Sequence, residues 1–104
     1  MQENPTKDSI INELAEEFQL TLWSTCSDQK NQKSYVFMDD LGINIIFNTS
    51  DQSFELKWMV PKSIFTMECP RCSPYSNKEH FKKIYLKFWR TIYAWNLNMP
   101  EKYL

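Results

Sequence analysis

The segment from Ser76 to Asn98 constrains this chain most, because its apolar residues recur every three or four positions for about six turns of helix. Ser76 and Glu79 have the spacing of a capping box, in which each side chain satisfies an orphan backbone donor of the first turn. Pro100 disfavours helical backbone at Met99, so the helix is expected to stop near Asn98. Phe81, Ile84, Tyr85, Phe88, Ile92 and Trp95 then share one face. Leu86, Trp89, Tyr93 and Leu97 form a second strip beside it, with Lys82 between the two. Lys83, Lys87 and Arg90 fill most of the remaining arc.

One apolar stripe is enough to join a helix to a core. The second strip therefore has two readings: it is wedged inside the fold between a sheet and another helix, or part of it stays open and binds another protein. Aromatic residues beside arginine are the usual anchors of protein interfaces. Contiguous apolar surface rarely stays exposed without a use. On the second reading Lys82, Lys83, Leu86, Trp89, Arg90, Tyr93 and Leu97 make up the partner-binding surface.

The rest of the chain alternates rather than cycles. Asn4-Pro5 suits a helix start, with Asn capping and Pro in the first helical position. Ile10, Ile11, Leu14, Ala15 and Phe18 make a narrow stripe on a helix of roughly 13 residues, with Glu13, Glu16 and Glu17 facing away. Strands are expected at Leu20 to Cys26, Ser34 to Met38, Ile43 to Phe47 and Ser53 to Val60. The last is the cleanest, with Phe54, Leu56, Trp58 and Val60 on one side. Asp39-Asp40-Leu41-Gly42 reads as a turn around the only glycine. Pro61 to Tyr75 holds three prolines and no clear period, and reads as a long connection with one helical turn near Ser63 to Phe65. The expected fold is a single α+β domain over residues 1–104. It has an N-terminal helix, a four-stranded antiparallel meander and a long C-terminal helix, packed as a two-layer sandwich.

A single glycine in 104 residues excludes phosphate-cradling loops, dinucleotide fingerprints and nucleophile elbows, which need glycines for close backbone approach. The formal charge of -1 conceals a polarity. Residues 1–17 carry one lysine and five acids, whereas residues 77–104 carry six bases and two acids. The two helices could neutralise each other, or the basic face could attract an acidic partner or nucleic acid. No apolar run is long enough to span a membrane, and the first 20 residues lack the apolar stretch of a secretory signal. With an odd cysteine count, this leads to an expected cytoplasmic location.

Cys69-Pro70-Arg71-Cys72 has metal-ligand spacing. A closed zinc site needs four ligands, and Cys26 and His80 are the usual soft residues left to complete it. The alternatives are reduced thiols without a metal, or a redox pair. Ser73 follows the motif where zinc ribbons often carry Gly. Glu55-Leu56-Lys57 resembles the Glu-x-Lys motif of restriction-nuclease-like enzymes. That resemblance implies Mg²⁺-dependent cleavage with Asp39, Asp40 or Asp51 as the second carboxylate. The same triplet is common on the polar side of any amphipathic strand. Lysines interleaved with Tyr and Trp on the last helix suit single-stranded nucleic acid, and the helix–strands–helix order is similar to that of double-stranded-RNA-binding domains.

The leading expectation is a small protein-binding module without turnover: an inhibitor, immunity protein, anti-defence protein or adaptor. Its Lys- and Asn-rich style suits a phage or plasmid accessory protein. Homodimerisation through the same helix is a variant. A nucleic-acid-binding domain, zinc-stabilised or not, and a small nuclease are the alternatives. No cofactor is expected apart from that zinc.

Overall fold

The computed structural model describes residues 8–27, 33–59 and 66–98. The order is α1 (Ser9–Glu17), β1 (Thr21–Ser27), β2 (Lys33–Met38), β3 (Asn44–Asn48), β4 (Ser53–Met59), β5 (Thr66–Cys72) and α2 (Lys78–Asn98). The strands form one antiparallel meander, β1-β2-β3-β4-β5. The chain is thus α+β with a helix at each end of the order, as expected, but the sheet has five strands rather than four. The expected cap at Asn4-Pro5, the helical turn at Ser63 to Phe65 and the place of Val60 lie outside the described residues. So do the side chains of Trp95 and Leu97.

The fifth strand comes from the segment read as a loop. Pro70 made that segment look non-β, since proline cannot donate to a ladder. Edge strands and bulges tolerate proline, and β5 is both. Leu56 faces Cys69 and Phe54 faces Cys72, so two steps on β4 meet three on β5. Pro70 and Arg71 form the bulge. The other edge has one too: Leu22 pairs with Phe37 and Ser24 with Val36, leaving Trp23 as the extra residue of β1. Bulges on both edges interrupt the open hydrogen-bonding rows that would otherwise recruit another strand.

Both helices start later than expected. Asp8 caps α1, its Oδ1 accepting from the N–H groups of Ile10 at 2.9 Å and Ile11 at 3.2 Å. The helix accordingly has 9 residues rather than 13. Asn77, not Ser76, caps α2: its Oδ1 accepts from the His80 N–H at 3.1 Å and its carbonyl from Phe81. Asn is at least as good a cap as Ser, and it shifts the helix start by one position. α1 ends in a Schellman arrangement, with Gln19 N–H on the Glu16 carbonyl and Leu20 N–H on the Ala15 carbonyl. Gln19 takes the left-handed φ of 56° that glycine usually supplies.

The core lies between the helices and one face of the sheet. Alternation places Phe37, Ile45, Phe47, Phe54, Leu56 and Trp58 on that face, all buried. Phe81 is the joint: its ring meets Phe18 of the α1 end at 5.6 Å, Phe47 at 5.6 Å and Phe54 at 4.8 Å. Removing a side chain buried this completely costs about 3–5 kcal/mol. Ile11 and Leu14 from α1, and Tyr85, Phe88 and Ile92 from α2, complete the same cluster. The opposite face of the sheet carries Val36 directly across from Ile46, both only half-buried, and then Glu55 across from Ile46.

Candidate functional site

The first apolar strip of α2 is buried at Phe81, Tyr85, Phe88 and Ile92, with Ile84 half-buried. The second strip is split. Leu86 and Trp89 are half-buried and pack against the core edge. Tyr93 is 48% exposed. Its ring stacks on the Trp89 indole at 5.0 Å and 10°. Lys82, Tyr93, Leu86, Arg90 and Lys83 follow in that order around the helix surface, and all except Leu86 are exposed. The charge polarity is only slightly neutralised inside the fold. One ion pair, Lys78–Glu13, joins the two helices among the described residues, and none engages Lys82, Lys83, Lys87 or Arg90.

Beside the strip, a cleft of about 320 Å³ runs between the end of α1, the β2–β3 turn and α2. Trp89, Tyr93, Tyr85 and Phe18 give it aromatic walls, while Asp39 and Asp40 make it acidic. Asp39 is held from three sides. Its Oδ1 accepts from Leu41 N–H at 3.0 Å and Ile43 N–H at 2.8 Å, and its Oδ2 accepts from the Tyr85 hydroxyl. Burial, and then the hydrogen bond to Asp39, push the Tyr85 phenol well above its ordinary value. Tyr75 is pushed the same way by burial and by its bond to Asp8 Oδ2 at 2.8 Å. Of the lining residues outside α2, periodicity of the sequence picked out Phe18 alone.

The four expected zinc ligands are not brought together. Cys26 is exposed on β1, and Cys69 and Cys72 sit on β5 at the far edge of the sheet. Four strand spacings put about 19 Å between these edges. His80 packs its ring on Phe54 at 6.0 Å. No group of three or more His, Cys, Asp or Glu side chains converges in metal-binding geometry among the described residues. Of the four, the structure brings together Cys69 and Cys72, with Sγ···Sγ of 3.9 Å.

Glu55 and Lys57 share the helix-free face of β4, as alternation requires. Their charges are already engaged. Arg71 donates to Asp51 Oδ2 at 3.1 Å and to Glu55 Oε2 at 3.3 Å, and Lys57 pairs with Glu68 at 3.3 Å. Asn48 Nδ2 adds a third donor to this cluster, 3.0 Å from Glu55 Oε2. The Asp51 carboxyl is held below the usual carboxylate range, foremost by the hydroxyl of Ser53, with the Ser53 N–H and Arg71 adding to it. Asp39 and Asp40 belong to a different turn, the one that closes on Tyr85.

Trp23 is 69% exposed on the β1 bulge, a feature sequence reading missed because tryptophan in a strand signals burial. No helix among the described residues is long and apolar enough to cross a membrane. The chain matches no protein-family model, no curated protein and no solved structure.

Proposed function

We propose that the protein is a small binding module that works by occupying the surface of another protein, without turnover. The observation that carries this reading is the stacked Trp89–Tyr93 pair. Tyr93 is 48% exposed, although Leu86 and Trp89 of the same strip pack against the core edge. A rigid aromatic with an exposed face, ringed by a guanidinium and ammonium groups, is the composition of an interface hot spot. The exposed charges of Lys82, Lys83 and Arg90 favour a partner whose surface is acidic around an apolar patch. Inhibition, immunity, anti-defence or adaptor action would all follow from such occupancy, by steric or electrostatic blocking. A symmetric pair of these strips would give a homodimer.

The same grouping favours a second reading, single-stranded nucleic acid, through stacking on Tyr93 and phosphate contacts from the basic arc. Affinity capture from the native host separates the two. The first reading expects a stoichiometric protein that survives nuclease treatment and is lost with Tyr93→Ser or Arg90→Glu. A bound fraction that disappears with nuclease favours the second. Retention of the same protein by both variants removes the α2 strip as its site.

A further inference from the structure

We infer that Cys69 and Cys72 are a reversible dithiol–disulfide pair, oxidised by exchange with small disulfides. In a regular strand, residues three apart point to opposite faces. Here the Pro70-Arg71 bulge absorbs one residue, and both cysteines face the helix side, opposite Leu56 and Phe54. Their sulfurs lie 3.9 Å apart. Because Cys69 and Cys72 face two β4 residues that are themselves two apart, their Cα atoms are separated by about 6.8 Å. That is the upper end of the range a disulfide spans without moving the backbone. Closing the bond therefore takes side-chain rotation and a slight tightening of the bulge.

The hydrogen bonding gives the two sulfurs different roles. Cys72 Sγ donates to the Pro70 carbonyl at 3.0 Å, which leaves Cys69 as donor across the pair. Burial, and then the hydrogen bond with Cys72, push the Cys69 thiol up to about 11, which makes it the slower of the two to ionise. It borders an open cavity of about 350 Å³ with Ile84 and Phe88 on the α2 side.

The chemistry is a two-step exchange. Cys72 loses its proton to solvent, and its thiolate attacks one sulfur of a low-molecular-weight disulfide such as oxidised glutathione. The Cys72–glutathione bond forms, and the first glutathione leaves as a thiolate. Cys69 then loses its proton and attacks the Cys72 sulfur, expelling the second glutathione. The protein loses two hydrogens, and the small disulfide is reduced to two thiols. The inference is independent of partner binding by α2.

The test is intact-protein mass after incubation in glutathione buffers of graded reduced-to-oxidised ratio, with acid quench and alkylation. A Cys26→Ser background keeps only this pair. The expected result is a species lighter by two hydrogens that resists alkylation, maps to a Cys69–Cys72 peptide cross-link and reverts with dithiothreitol. Cys69→Ser should stop at a glutathione adduct on Cys72. Circular dichroism on each variant confirms that the fold is intact. Two free alkylated thiols in fully oxidising buffer overturn the inference. So does a stable double adduct, or a cross-link between copies.

Discussion

Tyr85 donates its phenolic hydrogen to Asp39 Oδ2, tying the middle of α2 to the turn between β2 and β3. The same carboxylate arranges that turn through two backbone N–H groups, so one side chain sets both the turn and the seat of the helix. The turn also needs Gly42, at φ +89°, and its Leu41 carbonyl accepts from Trp58 Nε1 at 3.2 Å. Tyr85→Phe keeps the ring packing on Phe18 and removes only the hydroxyl. Because the acceptor is a carboxylate and the bond is partly buried, the expected loss is about 1.5–3 kcal/mol in chemical denaturation, with an unchanged m-value.

The two latched tyrosines make stability fall in alkali. Tyr75 and Tyr85 have phenols pushed above the ordinary value of 10.0 in the folded state. Above pH 10 the unfolded chain releases these protons while the folded chain keeps them. Stability is therefore complete below the unfolded value, and it declines as pH rises from there towards the folded values. Each group contributes a slope of up to about 1.4 kcal/mol per pH unit. Urea midpoints measured from pH 9 to 11 should show the decline, and Tyr85→Phe should reduce its steepness.

A glycine-poor chain has to place other residues in left-handed backbone. Gln19 at the end of α1 and Gln52 before β4 both have φ of 56°. Gln19 is exposed, and its side chain accounts for nothing in the Schellman bonds, which are all backbone. Gln19→Gly relieves the left-handed penalty, offset in part by the extra freedom of the unfolded chain. A net stabilisation of about 0.5–1 kcal/mol is expected, read as a rise in melting temperature. A fall would mean that the Gln19 side chain has a role in the adjoining cleft.

The carboxylates of the β3–β4 hairpin respond unequally to loss of their partners. For Asp51 the Ser53 hydroxyl matters more than Arg71. Ser53→Ala should therefore raise the Asp51 carboxyl further than Arg71→Met does, in a carbon-detected NMR titration. A depressed carboxyl lends stability above its unfolded value and loses it as pH falls through the folded value. The acid limb of the stability profile should shift in the same order. Arg71→Met itself should cost under about 1 kcal/mol, since its ion pairs are exposed.

How much of this was legible depended on the range of the interaction. Periodicity located both helices and the inward row of β4, because burial on one face is written locally as spacing. The β5 strand was hidden because Pro70 is acceptable only at a bulge on an edge, and whether a strand is an edge is a property of the whole sheet. The cap shifts, to Asp8 and Asn77, were within one to four residues of competing Asn and Ser signals. The Tyr85–Asp39 latch spans 46 positions and leaves no local pattern. The separation of Cys26 from Cys69 and Cys72 was hidden for the related reason that spacing says nothing about which sheet edge Cys26 occupies. The basic arc and the partly open second strip were visible as composition on a helix. The acidic, aromatic cleft beside them required the fold.

The open strip yields a prediction that separates folding from docking. Tyr93 stacks on Trp89 and is half-exposed, so Tyr93→Ser should cost under about 1 kcal/mol in stability. Leu86 is half-buried against the core edge, so Leu86→Ser should cost more, about 1–2 kcal/mol, without unfolding the protein. If the strip is the docking surface, both variants retain their circular dichroism spectra and lose partner association by about tenfold or more. Lys83→Glu should act differently, slowing association and flattening its salt dependence while leaving dissociation nearly unchanged. A large loss of melting temperature from Tyr93→Ser would instead mean that the second strip is sealed within the protomer. The interface would then have to be sought elsewhere, first at Trp23 on the β1 edge of the sheet.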